Sequence, residues 1–276
     1  MLNIEADDSV NAFLRLTSIN DTEFLNSHYV VFATKKGVVK KTCLEAYSRP
    51  RANGVNAINI VEGDEVVDVR LTNGHNELIL ADRNGRAVRF DENTVRTMGR
   101  VSTGVRGMKL DEGDDEVVGM IVVNDAQTES VMVVSENGYG KRSLVDDYRK
   151  TNRGGKGVKT MNITDKTGRL VALKNVTDDN DLMIINKSGI VIRLAVADCR
   201  VMGRATQGVR LINLTKKNDV IASVCKVMSS EKEADAEQES QEAWQQTSDA
   251  IRKDTVPDVP AGDEPADADT EDNAEE

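Results

Sequence analysis

Four near-copies of one segment follow each other at a spacing of about fifty residues, and this limits the fold more than any other feature of the 276-residue chain. Each copy opens with a short apolar run: 29–33, 78–81, 131–134 and 182–185. A tight turn follows, with glycine at Gly37, Gly85, Gly138 and Gly189 and asparagine before it in two copies. Glycine and asparagine supply the positive φ that hairpin turns require. The returning strand carries a cation four residues after the glycine, at Lys41, Arg89, Arg142 and Arg193, with Lys40 and Lys141 beside the first and third. A second, basic glycine loop comes next, at Gly54, Gly104, Gly157 and Gly208. In the last three copies one cation stands four residues before this glycine and another two after it: Arg100 and Arg106, Arg153 and Lys159, Arg204 and Arg210. Two further short apolar strands, such as 108–110 and 117–120, complete the unit. Four short strands per period near fifty is the mark of a propeller-type array. A cation recurring at the same period suits a long polyanion lying across successive units.

The expected fold is therefore all-β: a β-propeller or β-pinwheel array of about four four-stranded blades, near 20–70, 71–122, 123–174 and 175–228. Its apolar residues are mostly Val, Ile and Leu, with only 3% aromatics, which suits many short strands. Leu2-Asn3-Ile4 and the stretch from Asp8 to Leu16 resemble the second half of a unit. This predicts a partial N-terminal blade, either the remainder of a longer chain or a half-unit that closes the ring.

Net charge divides the chain in two. The formal value of −11 is an average: the segment 229–276 holds 17 acidic and 3 basic residues, leaving 33 basic and 30 acidic in 1–228. The tail, rich in Glu, Asp, Ala, Gln and Pro with Trp244 as its one aromatic, is expected to be disordered, since it cannot bury enough apolar surface to offset its ordering entropy. The array of 1–228 carries a small positive excess and is the expected nucleic-acid-binding domain. Cys43, Cys199 and Cys225 are odd in number, widely spaced and without metal-ligand pattern, as expected of reduced thiols in a cytoplasmic protein. His28 and His75 have no partner cluster, so neither a metal nor a cofactor is expected. No apolar stretch has the length of a membrane span.

The densest cationic stretch runs from Tyr148 to Lys159 and holds Arg149, Lys150, Arg153, Gly154, Gly155, Lys156, Gly157 and Lys159. Its glycines would let the backbone approach a phosphate while the cations supply charge. It lacks the lysine-serine/threonine and helix of a nucleotide-binding loop. A single basic loop is commonly just solvated surface, and alternation alone would place polar residues on a strand's solvent face. Solubility gives no reason, however, to repeat a cation at one blade position. Duplex DNA is the expected polyanion, with contacts from Lys40, Lys41, Arg49, Arg51, Arg89, Arg100, Arg106, Lys141, Arg142, Arg149, Lys150, Arg153, Gly154, Gly155, Lys156, Gly157, Lys159, Arg193, Arg204 and Arg210. Tyr148 beside Arg149 invites comparison with a DNA-cleaving tyrosine, but Tyr47 fills the same place in the first unit, which marks a structural anchor. Asp114-Asp115 and Asp146-Asp147 lie in turns with no convergent catalytic group.

These motifs resemble the C-terminal DNA-wrapping domains of DNA gyrase A subunits. The resemblance rests on Met98-Gly99-Arg100 with Thr103-Gly104-Val105-Arg106-Gly107, on Asn137-Gly138-Tyr139-Gly140-Lys141-Arg142, on 153–157, and on Met202-Gly203-Arg204 with Gln207-Gly208-Val209-Arg210. It implies a six-bladed pinwheel whose neighbours exchange strands, with DNA bent around a basic rim. It also implies an upstream cleavage-reunion region, a B subunit that hydrolyses ATP with Mg, and a bacterial, nucleoid-associated A2B2 assembly that introduces negative supercoils. The chain itself should neither cut DNA nor hydrolyse ATP. The family's wrapping box, Gln-Arg-Arg-Gly-Gly-Lys-Gly, belongs to its first blade. Here the nearest match, 152–157, falls in the third unit and lacks the Gln-Arg start. The A subunit of topoisomerase IV, which carries a degenerate box, is the related alternative, and a non-catalytic interaction scaffold is another. The tethered acidic tail should compete with DNA for the cationic rim at an effective concentration around millimolar. Deleting 229–276 should therefore tighten duplex binding most at low salt, measured by titration with and without the tail; equal affinities there would remove the competition.

Overall fold

The structure, a computed structural model, describes residues 10–16, 18–51, 53–214 and 219–229, which fall within one compact unit running to Ser229. The first nine residues and the acidic tail lie outside the described residues. So do the expectations that rest on them: most of the partial first blade, the tail's disorder and Trp244.

Short apolar runs separated by positive-φ glycines fold into hairpins. A helix α1 (Thr22–Ser27), capped by Asp21, precedes the strands β1 (Tyr29–Thr34), β2 (Val38–Cys43) and β3 (Val66–Thr72). The second repeat supplies β4 (Glu77–Asp82), β5 (Arg86–Asp91), β6 (Val105–Arg106) and β7 (Val117–Val123). The third supplies β8 (Ser130–Ser135), β9 (Tyr139–Leu144), β10 (Val158–Lys159) and β11 (Leu170–Val176). The fourth supplies β12 (Asn180–Asn186), β13 (Val191–Ala195), β14 (Val209–Arg210) and β15 (Ile221–Met228). Residues 10–16 form no strand, although Leu14 and Leu16 pack on the first sheet's core.

The sheets are not built from one repeat each. Their orders are β3-β1-β2-β6, β7-β4-β5-β10, β11-β8-β9-β14 and β15-β12-β13, so three sheets take their outermost strand from the following repeat. Val105 and Arg106 pair with Val39 and Val38, Val158 and Lys159 with Ala87 and Arg86, and Val209 and Arg210 with Gly140 and Tyr139. The expected strand at 108–110 is not a strand. Met108 turns inward and is buried, while the ladder forms just before Gly107. The inner strands β3, β7, β11 and β15 pack on one another in succession, which sets the borrowed strands at the outer edge.

Glycine is required where repeats meet. The carbonyl of Gly37 accepts hydrogen bonds from Gly107 N and Met108 N at 2.8 and 3.1 Å; Gly85 and Gly138 do the same for Thr160 and Met161, and for Leu211 and Ile212. A Cβ on Gly138, at φ +78°, would stand 2.7 Å from Ile212 O, whereas one on Gly189, at φ +81°, would meet nothing within 4 Å.

The first three sheets are covered on both faces, the last on one. In β4, Leu78 and Leu80 belong to a core shared with Val31, Val39 and Met108, while Ile79 and Ala81 belong to the next core with Val131, Val133 and Met161. Two-sided burial explains why these runs read as continuously apolar instead of alternating.

The last residue of each repeat's first strand pins the hairpin turn. Thr34 Oγ1 accepts from Val38 N at 3.1 Å and Asn186 Oδ1 from Ile190 N at 2.7 Å; Ser135 donates to Tyr139 O at 3.1 Å. The second repeat places Asp82 there. Its Oδ1 accepts from Arg86 N, but its Oδ2, like Asp115 Oδ1, is buried without a hydrogen-bond partner among the described residues. Burial, followed by the nearby Asp115 and Asp111, pushes the Asp82 carboxyl up from 3.8 to about 7. The folded state thus holds its proton more tightly than the unfolded chain, and stability is lost as pH rises from about 4 to 7. Asp82→Asn keeps the turn bond and should add about 1–3 kcal/mol at pH 8, a gain that shrinks as pH falls through 7 and vanishes below 4. Urea melts across this range test it; a gain independent of pH would contradict the charge argument.

Candidate nucleic-acid interface

Two layers of cations emerge from the repeat, and only one faces solvent. The outer layer is carried by the borrowed strands and the loops before them. Arg106, Lys159 and Arg210 occupy β6, β10 and β14, the outermost strands of three successive sheets, and all three are exposed. Arg49, Arg51, Arg149, Lys150 and Lys156 are exposed on the loops. Lys156 pairs with Asp111 at 2.6 Å, and Lys150 with Glu77 and Asp91 at 3.0 and 3.1 Å, which raises the Lys150 ammonium pKa.

The loops touch one another along this edge. Asn59 N donates to Ser102 O at 3.2 Å, Lys109 N to Gly155 O at 3.0 Å, and Asn162 N to Thr206 O at 3.1 Å. Consecutive basic loops are thus hydrogen-bonded neighbours. Arg210 is held by a residue the sequence did not single out: Tyr139 Oη accepts from its Nε and Nη2 at 3.2 and 2.9 Å. The only hint was a tyrosine after a turn glycine where other repeats carry Val38, Arg86 and Ile190.

The inner layer corrects an expectation. Lys41 and Arg89 are buried, at 3% and 9% exposure, and the Arg142 side chain is 12% exposed, so the three cannot lie against a phosphate as expected. Alternation fails here because a strand in a stack has no solvent face; its polar positions point at the adjacent repeat. Lys41 Nζ sits 2.9 Å from Glu92 Oε2 and 4.4 Å from the Tyr29 ring centroid. Glu92, itself fully buried, also accepts from Thr72 Oγ1 and Asn76 N, both at 2.8 Å. Arg89 bridges Glu77 and Asp146 and donates to the carbonyls of Val145 and Tyr148. Arg142 pairs with Asp178. Arg193 alone of the four is exposed, and it pairs with Asp181 at 2.7 Å.

Lys40 and Lys141 also lie inside, at 0% and 1% exposure, so neither reaches a phosphate. Lys40 Nζ donates to the carbonyls of Ala57 and Arg100, and Lys141 Nζ to those of Gly203 and Arg204. Burial, seconded for Lys40 by Arg100, pushes both ammonium groups down to about 8. Arg100, Arg153 and Arg204 are half-buried. The glycines of 153–157 serve the chain path: Gly154 N donates to Gly107 O, and a Cβ on Gly157 would come within 2.2 Å of Ala87 O. Beside them lies a cleft lined by Arg149, Asn152, Gly155 and Lys156. Tyr148 is fully buried with its hydroxyl bonded to Thr160, which leaves it no access to a scissile phosphate. Among the described residues no cluster of His, Cys, Asp or Glu could hold a metal ion, and no helix is long and apolar enough to cross a membrane. Cys43 is half-buried and Cys199 buried, but Cys225 is exposed.

Four segments, 28–73, 76–124, 129–177 and 180–225, match the family described as DNA gyrase C-terminal domain, beta-propeller. The DNA gyrase A subunit of Staphylococcus aureus is 43% identical over 247 residues, covering 90% of this chain but 27% of that protein, so the chain spans about a quarter of its length. The C-terminal domain of DNA topoisomerase IV superposes with a TM-score of 0.71 at 32% identity, covering 80% of this chain and 68% of that one. A DNA gyrase A C-terminal domain gives 0.72 at 24% identity over 82% and 73% of the two chains, a likeness of fold.

Because Lys41 and Glu92 tie the first repeat to the second, Lys41→Met should strand a buried carboxylate at a cost of about 3–5 kcal/mol, and adding Glu92→Gln should recover much of it. Urea unfolding of the two single variants and the double variant checks this; additive losses would mean that the pair is not coupled.

Proposed function

Because the chain belongs to the family of DNA gyrase C-terminal β-propeller domains, we propose that it binds and wraps duplex DNA without sequence preference as the C-terminal part of a gyrase A subunit. The observation that carries this reading is the row of exposed cations on the outermost strands of three successive sheets, Arg106, Lys159 and Arg210, flanked by Arg149, Lys156, Arg49 and Arg51. Phosphate contacts come from this outer layer, while the buried cations hold the repeats in place. The 43% identity over 90% of the chain to a gyrase A subunit supports gyrase over the related enzyme.

Wrapping needs many weak contacts. Bending a 20–30 base-pair segment costs on the order of 1–6 kcal/mol elastically, more than one contact on one repeat supplies. Contacts repeated along an edge share that cost, and counterion release from several phosphates provides most of the affinity. In the whole enzyme the bent segment is handed to a cleavage-reunion region of the same polypeptide, and a B subunit hydrolyses ATP with Mg in an A2B2 assembly that introduces negative supercoils. This chain supplies DNA geometry and no catalysis. Its setting is the bacterial cytoplasm, on the nucleoid.

Replacing Arg106, Lys159 or Arg210 with Gln should each reduce the slope of log affinity against log salt by about 0.9 and weaken binding to all sequences alike. Titrations of mixed-sequence duplexes at several salt concentrations measure it. Competition by short duplexes and heparin as effective as by long duplexes would favour an interaction scaffold instead.

A further inference from the structure

At every junction between successive repeats a cation is bound by main-chain carbonyls. At the first junction this is Lys40. It reaches Ala57 O, at the exit of the first repeat's loop, and Arg100 O, within the second repeat's loop, so one ammonium clasps both. The equivalent position in the second repeat is Val88, which cannot do this. The second junction is instead served from the opposite side. Arg153, in the third repeat's loop, donates through Nε to Thr94 O at 2.9 Å and through Nη1 to Arg106 O at 3.0 Å. At the third junction Lys141 donates to Gly203 O and Arg204 O, and Arg204 Nη1 reaches back to Lys159 O at 2.9 Å.

Two of the carbonyls gripped in this way, those of Arg106 and Lys159, belong to the outer cations themselves. A carbonyl-bound cation fixes a loop without bringing a carboxylate to the rim, so the rim keeps its positive potential. This distinguishes it from the layer of Lys41, Arg89 and Arg142, each of which engages a carboxylate, although Arg89 also binds the carbonyls of Val145 and Tyr148 across the second junction.

We propose that Lys40, Arg153 and Lys141, with Arg204 assisting the last, are positioning residues for DNA wrapping: they set the spacing and angle between the outer cations of successive repeats, and the path of the duplex follows from that angle. The proposal rests on the DNA-wrapping function above and deepens it. A residue of this kind governs how many repeats one duplex engages together and leaves each single engagement unchanged.

The test uses the full chain with Lys141→Met and, in case that buried change impairs folding, the half-exposed Arg153→Lys, which keeps the charge but cannot span both Thr94 O and Arg106 O, each checked by thermal melting. Affinity is measured for a duplex of about 10 base pairs, one helical turn, and for one of about 30 base pairs with fluorophores at its ends to report bending. The expected result for either variant is a loss of about tenfold on the long duplex with reduced end-to-end energy transfer, and a change within about twofold on the short one. Equal losses on both duplexes, or no loss on the long one, would overturn the positioning role while leaving wrapping intact. A wild-type chain that binds both duplexes equally and leaves the long one straight would overturn the wrapping function, and this role with it.

Discussion

The molecule depends on one exchange between neighbours: a hairpin's turn glycine offers its carbonyl to two N–H groups of the next repeat, which lays a two-residue strand along that hairpin. Everything at the rim follows. The borrowed strand sits outermost in the sheet, its second residue is a cation, and the loop before it is carried to the same edge. Glycine is obligatory on both sides, because the chains approach more closely than a Cβ permits; a Cβ on Gly104 would stand 2.7 Å from Val39 O, and one on Gly208 2.6 Å from Gly140 O. A backbone contact repeated at a fixed period thus places charge at a fixed period.

Packing between sheets then decides which cations can act. Each of the first three sheets has a core on each side, so a polar residue in the middle of their strands is buried against a neighbour. Lys41 and Arg89 are therefore ion-paired struts. Positive charge stays accessible on the loops and where the sheets end, and on the open face of the last sheet at Arg193. The division is physical: buried cations need carboxylates or carbonyls to offset desolvation, whereas rim cations remain exposed to solvent.

Much of the fold was legible because its signals are local. The turn glycines, the apolar runs and the loop glycines each sit at a readable spacing, and each strand of the hairpins forms where those signals place it. What the spacing could not reveal was ownership. Residues 105–106 look like part of the second repeat and lie in the first sheet, since partner choice depends on contacts nearly seventy residues apart. For the candidate site residues the placement was mixed. Arg106, Lys159 and Arg210 stand exposed on the edge, but Lys40 and Lys141, which read as surface lysines, are buried clasps. Tyr139 gave no charge signal at all, and its part in holding Arg210 emerges only from geometry. A one-dimensional pattern reports that a residue is polar; whether it meets water or a neighbouring sheet is a property of the stack.

Strand lending has a consequence for cooperativity. A hairpin such as β1–β2 completes its sheet only when chain nearly seventy residues further on has been laid beside it, and one of its apolar faces is covered only by the flanking sheet. The smallest self-sufficient element is accordingly a neighbouring pair, not a single repeat, and stability accrues through nearest-neighbour couplings as in other repeat arrays. Damage at one junction loosens the two repeats that share it and leaves more distant ones folded. Such confinement lets one edge of the array open locally without unfolding the whole.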